Sequence, residues 1–420
     1  MSRLRVAMIA PPWLAIPPHG YGGIEVVVDG LVKALVKLDV EVELFTIKGT
    51  KMPRGVKLHT LYKTEQFGDI HRPFYESLPI LGAHVQFALN RICADGNFDI
   101  IHDHSNNFLG PQLLAQATQN SAMPPAIHTI HSPPFSDNAT LAQGLPDNKV
   151  FWEQLGYNMG RLYTVGISET LMQSAPKSLR PSILPTVYNA LDTSRFPFVE
   201  KKKDYFITLA RFSRDKGQHI AVKICSALGY RLRMAGTVAG ICTNRRLLLE
   251  LANPLSSYRH YDEFRYYSDE ILPLVVRSRK ITYVGNMVGK RKLSFISEAK
   301  ALLFPIDWEE PFGMAVIEAL ACGTPVVAMR RGAMPEIIQH GYNGFLADNE
   351  QEFAEYMRRI DEINPEDCRQ SVEEFFSAEA MARGYIDRYE EAIRRSVRQV
   401  ATAKKSSSRR ARQAKNLLRA

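Results

Sequence analysis

An α/β chain built as two parallel-sheet domains is what the sequence predicts, and three observations carry that reading. Its 420 residues exceed what one hydrophobic core usually serves. Short β-branched and aromatic runs alternate with helix-length amphipathic stretches from start to finish, the rhythm of strands joined by helical crossovers. That rhythm restarts midway, after the charged stretch Glu200-Lys201-Lys202-Lys203-Asp204, which reads as an interdomain linker.

The first half opens with a buried strand over Leu4 to Ala10, a Pro/Gly-rich loop, a helix from about Gly23 to Lys37 and a strand from Val40 to Ile47, which together make one βαβ unit. Further strands are predicted at Asp99 to His102, Ala126 to His131, Tyr163 to Ile167 and Ser182 to Val187. In the second half the candidates are Tyr205 to Ala210, Arg231 to Ala235, Ile281 to Val284, Ala301 to Pro305 and Pro325 to Met329. Near the end Ser377 can cap a helix on which Met381, Tyr385 and Tyr389 form one apolar stripe. The division expected is 1–198 and 199–376, with a helix over about 377–395 crossing back onto the first domain and a disordered basic tail over 396–420.

Composition, at 45% hydrophobic and 23% charged, is that of a globular protein, and no apolar run approaches the ~18 residues that span a bilayer. The N-terminus reads as strand rather than signal peptide. Five scattered cysteines without CxxC spacing argue against a disulfide framework or a zinc site and point to a reducing cytoplasm. His102-Asp103-His104 converges poorly on one ion, because successive strand residues point to opposite faces. The formal charge of +9 belongs to the tail: Arg394, Arg395, Arg398, Lys404, Lys405, Arg409, Arg410, Arg412, Lys415 and Arg419 follow Ala392 with no acid among them. Without interleaved aromatics this tail has no means of stacking on bases, so specific nucleic-acid binding is not expected, whereas loose attachment to an anionic membrane fits it.

The chemistry concentrates in Asp307 to Val327. A strand ends near Pro305, an acidic loop follows, and a helix begins near Phe312-Gly313 and stops at Gly323, where a left-handed residue suits its end. Open α/β sheets bind ligands at the carboxyl ends of their strands, and free N–H groups at a helix start hold a diphosphate there. Carboxylates in such a place suit hydroxyls instead. Glu310 and Glu318, eight residues apart, are spaced to hold two polyols flanking one diphosphate, the description of a nucleotide-sugar. The plainer reading makes Glu318 a solvated helix residue and Glu309 and Glu310 acids that favour a helix start.

These residues reproduce the E-x7-E motif of the family-4 retaining glycosyltransferases, within E-P-F-G and E-A-x-A-C-G-T-P-V-V, and the chain also resembles that family at Gly332 to Ile338 and His340 to Phe345. Earlier matches fall at Tyr21-Gly22-Gly23, Ile101 to His104, His128 to His131, Ile167 to Glu169 and Arg211 to Gly217. The resemblance implies the GT-B fold, two Rossmann-like domains facing each other across a cleft. It implies that Glu310 contacts donor-sugar hydroxyls and Glu318 the ribose, with Phe312, Gly313 and Met314 offering backbone donors. Arg211 and Lys216 would neutralise the departing diphosphate, so no cofactor and no divalent metal is expected. His131 would face the donor sugar. Gly22 and Gly23 would let backbone approach the ligand, and Asp103 and His104 are acceptor-side candidates. Two departures stand out: Val187 to Asp192 lacks the family's usual glycine, and a polar stretch with Tyr258, His260, Tyr261, Tyr266 and Tyr267 follows Thr237 to Gly240. The expected activity is transfer of a hexose from an NDP-sugar to an acceptor hydroxyl. The alternatives are a sugar-nucleotide epimerase of the same architecture and an inactive scaffold that binds anionic surfaces through the tail.

Overall fold

A computed structural model describes residues 3–18, 22–66, 74–105, 108–132, 135 and 148–417. The first sheet holds β1 (Arg5–Ile9), β2 (Glu41–Thr46), β3 (Lys57–Thr60), β4 (Ile100–Asp103), β5 (Ala126–Ile130), β6 (Leu162–Gly166) and β7 (Ile183–Leu184), in the order β3-β2-β1-β4-β5-β6-β7. The second holds β8 (Lys203–Leu209), β9 (Leu232–Ala235), β10 (Ile281–Gly285), β11 (Ala299–Phe304), β12 (Val326–Met329) and β13 (Gly344–Ala347), in the order β10-β9-β8-β11-β12-β13. Every pairing is parallel. Parallel strands covered by helices on both faces must be apolar throughout, and Val6, Ala7, Met8 and Ile9 are all fully buried. In each sheet the connections run outward in both directions from one central pair, β1 with β4 and β8 with β11. Those are the switch points where ligands of this architecture bind.

The chain forms two compact units: Met1–Ile167 with Leu171–Tyr188 and Met381–Ala420, and Ser168–Thr170 with Asn189–Ala380. The charged stretch expected as a linker lies inside the second unit. Lys202 Nζ donates to Ser297 O, Cys322 O and the Thr324 hydroxyl at 2.9, 3.0 and 3.0 Å, and Lys203 already opens β8. A lysine that satisfies three interior acceptors is not a solvated connector, and its burial pushes the ammonium down to about 8. The strand expected over Ser182 to Val187 shrinks to Ile183–Leu184, and β3 and β13 were not anticipated.

Helix Ala378–Leu417 supplies the rest of the first unit's core. Met381, Tyr385 and Tyr389 are buried, and the stripe continues through Ala392 and Ser396. A buried phenol needs a partner. The Tyr389 hydroxyl lies 2.6 Å from His102 Nδ1 and the Tyr385 hydroxyl 2.9 Å from Thr129 Oγ1, while His102 Nε2 meets the same threonine at 2.8 Å. Ser396 accepts a bond from Arg161 Nη1 at 3.0 Å. Disorder from Ser396 onward is therefore corrected: the helix runs unbroken to Leu417. Ala, Gln, Lys and Arg propagate a helix at little cost once it is nucleated, even without an apolar stripe. The side chains of Lys404, Arg409, Arg410, Arg412 and Lys415, and all of Arg419, lie outside the described residues.

Candidate functional site

In the second unit the chain leaves β8 and β11 at the switch point and sends two loops outward. The loop after β8 makes a short turn over Arg214–Lys216 that ends on Gly217 (φ 67°), which also caps helix Gln218–Leu228. The loop after β11 runs from Pro305 to Gly313 and is fastened to the first loop where Asp307 N donates to Asp215 O at 2.9 Å. A third segment clamps it from the end of β12. Gly332 N donates to Glu309 Oε2 at 2.6 Å and Ala333 N to Glu310 O at 2.9 Å, so the backbone of Glu310 is fixed before any side chain is considered.

Upon this frame Lys216 Nζ and Glu310 Oε2 form an ion pair at 2.6 Å, each side chain only 12% exposed. Trp308 closes the group: its indole N–H donates to the same Glu310 oxygen at 3.0 Å, and Lys216 Nζ stands 4.3 Å from its ring centroid. Gly313, at φ 94°, ends the loop and starts helix Met314–Ala321, and Gly323 at φ 70° stops it. Phe312 is buried against Phe376, so its contribution to a ligand can only come from its backbone. Glu318, in the second turn, pairs with Lys292 Nζ at 2.7 Å. Both carboxylates thus stand beside the same helix start, and each is held by a lysine. This arrangement supplies acceptors for hydroxyls, backbone donors for an anion and positive charge within one unit.

Arg211, expected to neutralise a diphosphate, is held by two carboxylates. Its guanidinium is 41% exposed, donating to Glu263 Oε1 at 2.5 Å and Asp215 Oδ2 at 3.0 Å. Glu263 comes from the polar stretch after Gly240, which is helical, with Tyr266 and Tyr267 buried in a π-helical turn over Tyr266–Ile271. Tyr267 packs edge-on against Phe212 and Tyr283. Sequence reasoning singled out the tyrosines of this stretch and missed Glu263, because nothing in the primary structure ties it to Arg211. Trp308 and Lys292 were missed as well. Trp308, within the acidic loop itself, was the legible one.

In the first unit Gly22 (φ 152°) precedes helix Gly23–Lys37, and a Cβ there would lie 2.8 Å from Pro18 Cβ. Gly23 faces open space. Tyr21 lies outside the described residues. Asp103, expected to meet an acceptor, is instead fully buried. Its Oδ2 accepts from His128 Nδ1 and Ser105 Oγ, both at 2.7 Å, and its Oδ1 from Ser105 N at 3.0 Å. Three of its acceptor sites are therefore taken by its own neighbours, and these bonds shape the end of β4. His104 is equally buried, with Nδ1 2.9 Å from Nε2 of the half-buried His131. Burial pushes the imidazoles of His102, His104 and His131 well below their ordinary range, and repulsion from neighbouring histidines, His128 in every case, adds to it.

Glu25, in the first turn of the same helix, was not anticipated. Burial pushes its carboxyl up to about 7, and the charge of Glu65 adds to this. A carboxyl raised in the folded state contributes stability fully below its ordinary pKa and loses it as pH climbs toward the folded value. Glu25→Gln should therefore match the parent protein near pH ~5 and exceed it near pH ~8, by on the order of 3 kcal/mol. Thermal unfolding across that range checks the prediction, and a pH-independent difference would refute it.

Two family models together match residues 21–374: "Glycosyltransferase Family 4" over residues 21–195 and "Glycosyl transferases group 1" over residues 192–374. Among curated relatives, the N-acetyl-alpha-D-glucosaminyl L-malate synthase of Bacillus anthracis is 23% identical across 71% of this chain and 76% of its own. The D-inositol 3-phosphate glycosyltransferase of Paenarthrobacter aurescens is 26% identical across 78% and 81%. Among solved structures, sucrose-phosphate synthase from Thermosynechococcus elongatus superposes with a TM-score of 0.69 at 19% identity, covering 93% of this chain and 99% of that one. AviGT4, a glycosyltransferase involved in avilamycin A biosynthesis, gives 0.62 at 19% identity, covering 93% and 98%. With the E-x7-E carboxylates, the switch-point geometry and these matches together, the chain belongs to the family-4 glycosyltransferases and has their GT-B fold.

Proposed function

We propose that this protein transfers a hexosyl group from a nucleoside-diphosphate sugar to an acceptor hydroxyl, with retention of configuration and without a divalent metal. The observation that carries the proposal is the pair Glu310 and Glu318 on either side of one helix start, each held by a lysine. An ionised carboxylate accepts hydrogen bonds from vicinal hydroxyls, and by the family resemblance Glu318 takes the ribose and Glu310 the sugar. The N–H groups of Gly313 and Met314 and the ammonium of Lys216 then face the diphosphate. As the glycosidic bond breaks, negative charge grows on the leaving phosphate, and groups already in place absorb it without reorganising. Lys216 is shared between Glu310 and that charge, and Arg211 joins it when it exchanges Asp215 or Glu263 for phosphate. His131 contacts the donor sugar, as the family resemblance implies. An Anabaena structural neighbour has been solved with UDP and with UDP-glucose, which supports a nucleotide donor. The cysteines are unpaired, in keeping with a reducing compartment, and the basic end of helix Ala378–Leu417 suits a peripheral contact with anionic lipid.

A thermal-shift panel of UDP, GDP, ADP and their sugars tests this reading. One nucleotide series should stabilise the protein by about 2.7 kcal/mol at a hundredfold excess over its dissociation constant. The best donor, incubated with acceptors in the presence of a chelator, should yield a product of unchanged anomeric configuration by NMR. Interconversion of free NDP-sugars without an acceptor would favour an epimerase. Silence toward every nucleotide would end the proposal.

A further inference from the structure

His104 and His131 face each other ring nitrogen to ring nitrogen, and that contact constrains both protons. His104 sits just past β4, its backbone N–H bonded to Ile9 O at 2.9 Å, so the residue is fixed against the central strand. Its Nδ1 lies 2.9 Å from His131 Nε2, and its own Nε2 is buried with no hydrogen-bond partner among the described residues. The ring of His102 lies 4.0 Å away, centroid to centroid, with both nitrogens already committed to Tyr389 and Thr129. It packs against His104 without offering it a bond.

One N–H must fill the gap between the two rings. If His131 supplies it, the proton of neutral His104 sits on Nε2, a buried N–H without an acceptor. If His104 supplies it, Nε2 keeps only a lone pair. A buried donor without a partner is the rarer and more costly of these two states. The second arrangement therefore holds, and His131, accepting through Nε2, must carry its proton on Nδ1.

We propose that His104 is a positioning residue that locks His131 in the Nδ1-protonated tautomer, so that His131 presents an N–H, and not a lone pair, to an oxygen of the glycosyl group. The proposal rests on the reading of His131 as the residue that faces the donor sugar. It makes His131 a hydrogen-bond donor to a hydroxyl or ether oxygen and denies it the role of base.

Nitrogen-15 NMR of the histidine-labelled full-length protein, with His131 assigned by comparison with His131→Gln, reads the tautomer directly and needs no activity. The expected spectrum shows a protonated Nδ1 and a bare Nε2 for His131. A protonated Nε2 overturns the proposal whatever the enzyme transfers. His104→Asn, whose amide can still donate, should keep the tautomer and lose far less of kcat than a variant that cannot donate. His104→Asp, which only accepts when ionised, should place a proton on Nε2 of His131 and lower kcat roughly 10- to 100-fold, the range for one misdirected hydrogen bond. Should His104→Asp not fold, the spectrum of the parent protein and the kinetics of His104→Asn still decide. A flipped tautomer with undiminished kcat would show that the contact does not govern catalysis. Absence of transfer from any donor, with the expected spectrum, would instead count against the functional reading alone.

Discussion

Glu310→Gln should cut transfer by about 10²–10³-fold while leaving the affinity for the free nucleoside diphosphate unchanged or slightly improved. The asymmetry follows from the ion pair. Glu310 holds Lys216 at 2.6 Å, so removing the carboxylate charge replaces one of two anionic acceptor oxygens with an amide N–H, weakens the grip on the sugar hydroxyls and at the same time releases an ammonium toward phosphate. Glutamine keeps the shape of the side chain and the bond from Trp308. Alanine would leave Lys216 unpaired among largely buried groups and add a folding cost. Glu318→Ala should show the opposite split. Its carboxylate pairs with Lys292 and is assigned to the ribose, so nucleotide affinity should fall while kcat at saturating donor changes little. Isothermal titration with the nucleoside diphosphate, beside steady-state kinetics with the full donor, separates the two. If both variants weaken the nucleotide equally and spare kcat, the assignment of sugar and ribose ends is wrong.

Much of this site was legible in the sequence because it is local. Glu310, Phe312, Gly313, Met314 and Glu318 lie within nine residues, on a loop and helix whose punctuation by Gly313 and Gly323 can be read directly. Strand cores were legible for the same reason: Val6 to Ile9 is apolar without interruption, as a strand covered on both faces must be. What escaped is what depends on partners distant in sequence. Arg211 reads as a cation for phosphate, and its partner Glu263, 52 residues away, becomes visible only when the fold brings it to the guanidinium. Asp103 reads as a strand-end carboxylate until His128 and Ser105 claim it. Lys202 sits in a run of charges that suggests solvent, and only three acceptors from two other segments make it interior. Periodicity reports which face is buried; it does not report which polar group will meet it there. The basic tail erred in the other direction, because absence of an apolar stripe removes a reason to pack but not the helical preference of Ala, Gln, Lys and Arg.

Gly217→Ala should be a severely damaging small substitution in the second unit, costing roughly 3 kcal/mol or more through overpacking and backbone strain together. A Cβ at this position would lie 1.8 Å from the carbonyl oxygen of Pro305 and 2.7 Å from its carbon, and both are backbone atoms that no rotamer change can move. The residue also holds φ at 67°, where any L side chain is strained. Relief requires the loops after β8 and β11 to separate, which breaks the bond from Asp307 N to Asp215 O and carries Lys216 away from Glu310. Urea unfolding should show the stability loss, and donor binding should fail at temperatures where the variant remains folded. Gly23→Ala provides the contrast. Among the described residues, nothing beyond its chain neighbours and its own helix backbone lies within 4 Å of its ideal Cβ, so the fold should be untouched. A methyl group there can be felt only by something that enters from outside. A rise in donor KM with unchanged unfolding would mark Gly23 as a point of close ligand approach, whereas parent-like kinetics would reduce Gly22-Gly23 to a turn that starts a helix, and an undisturbed Gly217→Ala would show that the two loops are not mechanically joined.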